Sequence, residues 1–187
     1  RQACQAAAGW QACYPNSPRV AVNISSHQFQ RGNIFHLTKN VLAETGLPAE
    51  KLIVEITESL LISDDQETLD QLRAIRSLGM DLSIDDFGTG YSSLSYLKKF
   101  PITTLKIDRS FVMDVTTNPE DEALIKAIIS MAHSLNLKVV AEGVETAEQA
   151  NFLRSRNCQF IQGYLYSKPL TNKDFIKYYH DKSVQTT

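Results

Sequence analysis

Short apolar segments recur along the chain, and most of them close on a polar side chain. Their Val, Ile and Leu content and their shortness predict buried strands of a parallel sheet. The six predicted strands are Val20–Ser25, Leu52–Thr57, Asp81–Asp85, Thr103–Ile107, Lys138–Glu142 and Gln159–Tyr164. Helical patterns fall between them and begin at capping signals such as Asn118-Pro119 and the capping box of Thr146 and Gln149. This alternation predicts right-handed βαβ units.

The polar residues that follow these strands form a recurrent set. Its members are Asn23, Glu55, Asp85, Asp86, Lys106, Glu142 and Gln162. Parallel α/β folds place their active sites at the carboxyl ends of strands, most consistently in the (β/α)₈ barrel. Six strands are two fewer than that barrel needs, so the sequence predicts either an open sheet or a barrel without its first two strands. Because the chain begins with Arg1 and enters a helical pattern directly, we expect it to be part of a longer polypeptide.

The acids at the strand ends suggest a metal site. Glu55, Asp85, Asp86 and Glu142 come from three strands, and their oxygen ligands suit Mg²⁺ or Mn²⁺ better than zinc. An adjacent pair such as Asp85-Asp86 can serve two metals, which act on a phosphodiester when they are held ~3.5–4 Å apart. Any one of these acids is more simply interpreted as a solvated loop residue or a helix N-cap. The whole set favours a metal site.

Lys106 is predicted to point to the same face of its strand as Thr104 and Asp108. A lysine on the inner face of a parallel strand is unfavourable unless it pairs with acids or with phosphate. A salt bridge to Asp108 or another neighbour explains Lys106 equally well at this level.

The Gly88-Thr89-Gly90 run also has two interpretations. It could wrap a phosphate, although a lone GxG motif is a weak signal. More often such glycines permit a tight turn, here before a helix predicted over Tyr91–Lys98.

Length and charge limit the possible functions. The 187 residues suffice for one domain, and a net charge of -2 argues against a broad basic face for long nucleic acid. No stretch has the pattern of a membrane span or a signal peptide. The three cysteines lack metal-ligand spacing, so we expect reduced thiols and a cytoplasmic location for this segment.

Several segments together are similar to one known family. From Arg1 to about Leu170 the chain resembles the EAL-domain family of cyclic-di-GMP phosphodiesterases in the order and spacing of its motifs. The matching segments are Val22–Ser25, Glu55–Glu58, Asp85–Leu94, Leu105–Asp108, Ala141–Glu145 and Gln162–Tyr164. This combination is far more specific than any single motif.

The resemblance implies a TIM-like (β/α)₈ barrel of the EAL type that hydrolyses cyclic-di-GMP to linear pGpG with Mg²⁺ or Mn²⁺ in a two-metal site. The metal ligands that it implies are Asn23, Glu55, Asp85, Asp86 and Glu142. It makes Glu142 a metal ligand or the general base, and it makes Lys106 the residue that holds the attacking water or the phosphate. Lys106 and Glu142 are therefore the implied catalytic residues.

The resemblance also implies positions for substrate binding or loop anchoring, and it implies partners. These positions are Glu58, Asp108, Glu145 and Gln162, of which Glu58 would anchor the Asp85–Ser93 loop that in the family links the site to a dimer interface. The implied partners are cyclic-di-GMP, a second copy in a homodimer and other signalling domains in the parent chain. Neither long nucleic acid nor a membrane is an expected partner of this segment.

One family feature has no counterpart here. The first-strand Glu-Ala-Leu segment, which supplies a metal-binding glutamate and a nearby arginine, would belong upstream of the first helix. Residues 1–187 are therefore expected to be an EAL domain without its first two strands, and weakly active or inactive alone. The alternatives are a non-catalytic cyclic-di-GMP receptor and, with less support, an unrelated metal-dependent barrel enzyme.

Overall fold

The structure, a computed structural model, describes residues 1–14, 16–61, 65–90 and 94–184. Its strands are β1 (Val20–Ile24), β2 (Leu52–Thr57), β3 (Asp81–Phe87), β4 (Thr104–Ile107), β5 (Lys138–Ala141) and β6 (Phe160–Ile161). Its helices are α1 (Gln2–Cys13), α2 (Ser26–Arg31), α3 (Ile34–Thr45), α4 (Glu58–Leu61), α5 (Gln66–Ser77), α6 (Leu94–Lys99), α7 (Arg109–Met113), α8 (Pro119–Ser134), α9 (Ala147–Ser155) and α10 (Asn172–Val184). A 3₁₀ turn, Ala49–Lys51, precedes β2.

All six strands are parallel and lie in the sheet in chain order, from β1 to β6. This order confirms the predicted α/β class, since each strand is followed by a helical connection that returns the chain to the same end of the sheet. The last strand is shorter than predicted, because only Phe160 and Ile161 are paired. Tyr91–Ser93, where the helix before β4 was predicted to begin, lie outside the described residues.

The helical capping signals are largely confirmed. The Asn118 side chain accepts a hydrogen bond from the Glu120 amide, and Pro119 opens α8. Thr146 and Gln149 form the predicted capping box at the start of α9. These local signals set where the loops after the strands end.

The core lies between the sheet and its helices. Side chains such as Ile56, Leu82, Leu105 and Val139 are fully shielded from solvent. Because they alternate along the strands with Glu55, Ser83, Asp85 and Lys106, these apolar side chains face the helices, and the polar groups lie on the other face of the sheet.

The first and last helices of the described chain are in contact, although its first and last strands are not paired. Within the described residues no strand pairing joins β1 to β6. Helices α1 and α10 nevertheless meet, with the Trp10 and Phe175 ring centroids 4.6 Å apart and the Trp10 indole N–H donating to Asn172 Oδ1 at 2.8 Å. The described chain is therefore an open six-stranded sheet whose first and last helices are in contact.

A charged cluster lies at the amino ends of the strands, opposite the polar strand ends. The Asp81 carboxylate pairs with Arg19 at 2.6 Å and with Arg76 at 2.7 Å. Burial favours the neutral acid, but Arg19, Arg76 and Lys138 outweigh it and lower the pKa of Asp81. The cluster connects β1, α5, β3 and β5 at the end of the sheet that is remote from the candidate site.

Candidate active site

Strand register brings the predicted polar residues to one end of the sheet. Asn23 pairs with Glu55 across β1 and β2, and Thr57 pairs with Asp85 across β2 and β3. A register shift between Ile84 and Phe87 then interrupts the pairing of β3 with β4. In this irregular segment Asp86 has a φ of 53°, a left-handed conformation that residues other than glycine rarely adopt.

Lys106 lies at the centre of the site. Its Nζ atom is 2.7 Å from a Glu142 oxygen and 2.8 Å from an Asp85 oxygen. A Glu55 oxygen is the third partner, at 3.0 Å. Only 5% of Lys106 is exposed, so three carboxylates surround an almost fully buried ammonium group.

The charge balance keeps this lysine protonated. Burial alone would lower the pKa of Lys106, but hydrogen bonds to Asp85 and Glu142 and the charge of Glu55 raise it above its ordinary value. Lys106 therefore pairs with acids at the ends of three other strands.

Asp85, Asp86 and Glu142 form an acidic cluster beside Lys106. One ligand oxygen from each lies within 4.8 Å of the others. Burial, followed by the charges of Asp85 and Asp108, raises the pKa of Asp86. Burial also raises the pKa of Glu142, and Lys106 only partly opposes this effect. Because the pKa values of Asp86 and Glu142 are raised, a cation would stabilise the ionised form of these two acids.

The other two predicted metal ligands occupy different places. Glu55 is buried and contacts the acidic cluster through the shared Lys106 ammonium group. Asn23 is exposed and lies beside Glu55 in the β1–β2 register. The structure therefore assembles Asp85, Asp86 and Glu142 directly, with Glu55 one contact away and Asn23 at the edge strand.

Glu58 is nearly fully buried, with 4% of its surface exposed, and faces the glycine run after β3. Its Oε2 atom accepts hydrogen bonds from the Gly88 amide at 3.0 Å and from the Gly90 amide at 3.3 Å. A Cβ atom on Gly90 would lie 2.9 Å from Glu58 Oε1, so a larger residue there would force the Glu58 carboxylate to shift. The remainder of the predicted Asp85–Ser93 loop, Tyr91–Ser93, lies outside the described residues.

A cavity of about 430 Å³ adjoins the acidic cluster. Asp86 and Glu142 line it together with the other predicted edge residues, Asp108, Glu145 and Gln162. Asp108 is also the N-cap of α7 and accepts hydrogen bonds from the backbone and side chain of Ser110. Burial opposes ionisation of Asp108, but these bonds dominate and lower its pKa.

Several cavity residues were not predicted from the sequence. Arg109, Met113, Gly143 and Tyr164 also line this space. The side chains of Met113 and Tyr164 are more than half exposed. Gly143 and Tyr164 lie within the matching segments Ala141–Glu145 and Gln162–Tyr164, and Arg109 follows Asp108 directly, whereas Met113 had no sequence signal.

The tripeptide Glu-Ala-Leu does occur once in the chain, at Glu122-Ala123-Leu124. It lies in α8, where Glu122 forms ion pairs with Lys126 and Arg156 on the surface. A helical position of this kind does not supply the strand-borne glutamate of the family's first strand.

The fold and the site define a class of protein. A parallel α/β sheet that presents carboxylates and one buried lysine beside a cavity, at the carboxyl ends of its strands, has the arrangement of barrel-type enzymes that use divalent cations. Residues 1–169 match the EAL domain, and the chain belongs to the EAL-domain family. The predicted family and the TIM-barrel-type fold are confirmed.

Relatives and solved structures agree with this assignment. The cyclic di-GMP phosphodiesterase NbdA of Pseudomonas aeruginosa is 48% identical over 152 residues, which are 81% of this chain and 19% of that protein. The PaMucR phosphodiesterase in its c-di-GMP complex has a TM-score of 0.89 at 38% identity, over 93% of this chain and 70% of that one. Klebsiella pneumoniae BlrP1 in a manganese and c-di-GMP complex has a TM-score of 0.80 at 31% identity, over 90% of this chain and 43% of that one.

The chain spans only about a fifth to a quarter of the length of the first curated relatives that it matches. Among the described helices, none combines the length and the apolar character that crossing a bilayer requires.

Proposed function

We propose that this chain forms most of the EAL domain of a parent protein that hydrolyses cyclic-di-GMP to linear pGpG. The observation that carries the proposal is the triple pairing of buried Lys106 with Glu55, Asp85 and Glu142 beside a cavity. Relatives that carry the same domain are named cyclic di-GMP phosphodiesterases. The missing first-strand glutamate leads us to propose little turnover by residues 1–187 alone.

The proposed cofactor is a pair of Mg²⁺ or Mn²⁺ ions. Asp85, Asp86 and Glu142 would hold them, with Glu55 and Asn23 completing the ligand set. The donor chemistry fits, because carboxylate and amide oxygens are the ligands that these ions prefer and the three acid oxygens already lie within 4.8 Å of one another. When bound, such ions supply Lewis-acid activation of the phosphodiester and of the attacking water.

The protein groups divide the remaining tasks. Lys106 is held by three carboxylates and is therefore a fixed positive charge, suited to orient the attacking water or a phosphate oxygen. Glu142 would serve as a metal ligand or accept the proton of the water. Glu58 would keep the Gly88–Gly90 turn in place, while Asp108, Glu145 and Gln162 would contact the dinucleotide from the cavity.

Hydrolysis of cyclic-di-GMP by a polypeptide that includes the two upstream strands tests the proposal. We expect conversion to pGpG that requires Mg²⁺ or Mn²⁺, and a loss of at least about 100-fold in Asp85→Asn because a ligand matters more than its outer-shell partners. Asp81→Asn is the matched control, since Asp81 opens the same strand at the opposite end of the sheet. Dinucleotide binding without any linear product would instead identify a receptor.

We further propose a homodimer, additional signalling domains in the parent chain and a cytoplasmic location. The small share of each relative that this chain covers supports the additional domains. Light scattering of the purified parent protein distinguishes a dimer from a monomer.

A further inference from the structure

Gln149 is a buried amide that contacts two of the loops around the cavity. Only 6% of its surface is exposed. Its Oε1 atom accepts hydrogen bonds from the Glu145 amide at 2.8 Å and from the Thr146 amide at 3.0 Å. Its Nε2 atom donates to the Met113 carbonyl oxygen at 3.0 Å. The Thr146 bond belongs to the capping box of α9. The Glu145 bond holds the residue before that box, and the Met113 bond reaches the end of α7.

Helix α7 and the segment after β5, which Gln149 joins, both line the cavity. Arg109 and Met113 line the cavity from α7, which follows β4, and Gly143 and Glu145 line it from the segment that follows β5. The loops also touch directly, because a Cβ atom on Gly143 would lie only 2.5 Å from Arg109 Cβ. Gln149 thus adds a side-chain hydrogen bond to the direct contact between the two segments.

Gln149 lies outside the chemistry itself. The acidic cluster and Lys106 are placed by β3, β4 and the end of β5. The hydrogen bonds between β4 and β5 extend as far as Glu142, whose amide donates to the Ile107 carbonyl oxygen at 3.1 Å. After Glu142, the Val144 amide donates to the Gln162 carbonyl oxygen at 3.1 Å, and the next amide, that of Glu145, donates to the Gln149 side chain at 2.8 Å. Loss of Gln149 should therefore shift the cavity wall more than the reacting groups.

We infer that Gln149 is a positioning residue for the dinucleotide: it fixes Glu145 against α7 and so sets the affinity of the cavity for substrate. This inference rests on the proposed function. It predicts an effect on KM rather than on kcat, because the wall binds the part of the ligand that does not react.

The informative variant is Gln149→Glu. A carboxylate keeps the acceptor oxygen for the two amides but cannot donate to the Met113 carbonyl, so it breaks only the bond between the loops. Gln28→Ala is the matched control. Gln28 occupies the same capping-box position in α2, where its Oε1 atom accepts the Ser25 amide at 3.1 Å, and no hydrogen bond joins it to the cavity loops in the described structure.

The measurements are steady-state hydrolysis of cyclic-di-GMP by the polypeptide with both upstream strands, and amide hydrogen exchange of residues 109–113 and 142–146. For Gln149→Glu we expect KM to rise about tenfold with kcat within about twofold, as the loss of one buried hydrogen bond implies. Exchange should accelerate in both segments. Gln28→Ala should leave KM and the exchange of these segments unchanged.

The outcomes separate this inference from the proposed function. Equal KM values for Gln149→Glu and the wild type overturn the inference, as does a fall in kcat at constant KM, which is the signature of a smaller folded fraction. If the wild type binds cyclic-di-GMP without hydrolysing it, the proposed function fails. Calorimetry with Ca²⁺ or Mn²⁺ then tests the inference, and a dissociation constant unchanged in Gln149→Glu overturns it. A wild type that neither binds nor hydrolyses the dinucleotide contradicts both.

Discussion

Replacing Lys106 by methionine is the most direct test of how the site is held together. The substitution keeps a long unbranched side chain but removes the ammonium group that Glu55, Asp85 and Glu142 share. All three acids then face one another with no positive charge between them. Since Lys106 is only 5% exposed, water cannot easily take the place of the lost cation.

The expected loss of stability is large. Removing one partner of a buried ion pair destabilises a protein by about 3–5 kcal/mol, because the remaining charge stays buried and uncompensated. The acids can relieve this strain by taking up protons. Their pKa values in the folded variant then exceed those in the unfolded chain, so the folded state binds more protons between those values and the free energy of unfolding falls as pH rises.

Urea unfolding in the presence of a chelator, followed by circular dichroism, measures this effect. The deficit of Lys106→Met relative to the wild type should be about 3–5 kcal/mol near pH 7.5 and clearly smaller near pH 5. Manganese at about 100 times its dissociation constant should restore about 2.7 kcal/mol. Lys138→Met is the matched control: Lys138 is half exposed and lies 3.7 Å from Asp81, so its loss should change stability by about 0–1 kcal/mol.

Two results would refute the reasoning. If Lys106→Met and Lys138→Met unfold at the same urea concentration, the Lys106 ammonium group does not stabilise the acids. If the deficit is the same at both pH values, proton uptake by Glu142 and its neighbours does not follow the loss of the cation. Either result would show that the three contacts contribute little to the folded state.

Two further predictions concern stability away from the lysine. Gly143→Ala should lower the free energy of unfolding in urea more than Gly46→Ala does. Both glycines have a φ of 68°, but of the two only Gly143 has a neighbour, Arg109, within 4 Å of an added Cβ atom. Equal losses would rule out the steric contribution. Asp81→Asn should destabilise by roughly 1–3 kcal/mol at neutral pH, because its bonds to Arg19 and Arg76 join charged groups. Because the pKa of Asp81 is lowered in the folded protein, its carboxylate stabilises the fold fully above pH about 3.8, the ordinary Asp pKa, and this stabilisation is lost as the pH falls through the lower pKa of the folded state. An acid unfolding curve that Asp81→Asn leaves unchanged would contradict this.

Local sequence patterns were sufficient for the elements of the fold. The strand Leu52–Thr57 was predicted at the bounds that the structure gives it, because a run of β-branched and apolar residues has no helical alternative of that length. The predicted end of β6 was wrong by several residues. The length of β6 depends on where its pairing with β5 ends, and this pairing cannot be read from the sequence of one strand alone.

The candidate site likewise has a part that could be predicted from the sequence and a part that could not. Its strand-end acids and Lys106 could be selected from the sequence, since several such polar groups in one chain form a more informative set than any one of them. Their partners could not, because Lys106 was equally compatible with Asp108, and only the register of four strands decided for Glu55, Asp85 and Glu142.

The sequence by itself determined the α/β class and the family and supplied the candidate site residues, since each depends on composition and order within short segments. Tertiary structure alone decided which acids share the lysine, how the cavity is walled and that Gln149 joins two loops. The physical reason is that hydrogen bonds and ion pairs require distances of about 3 Å. Residues 36 positions apart, such as Met113 and Gln149, reach that distance only through the packing of the whole sheet and its helices.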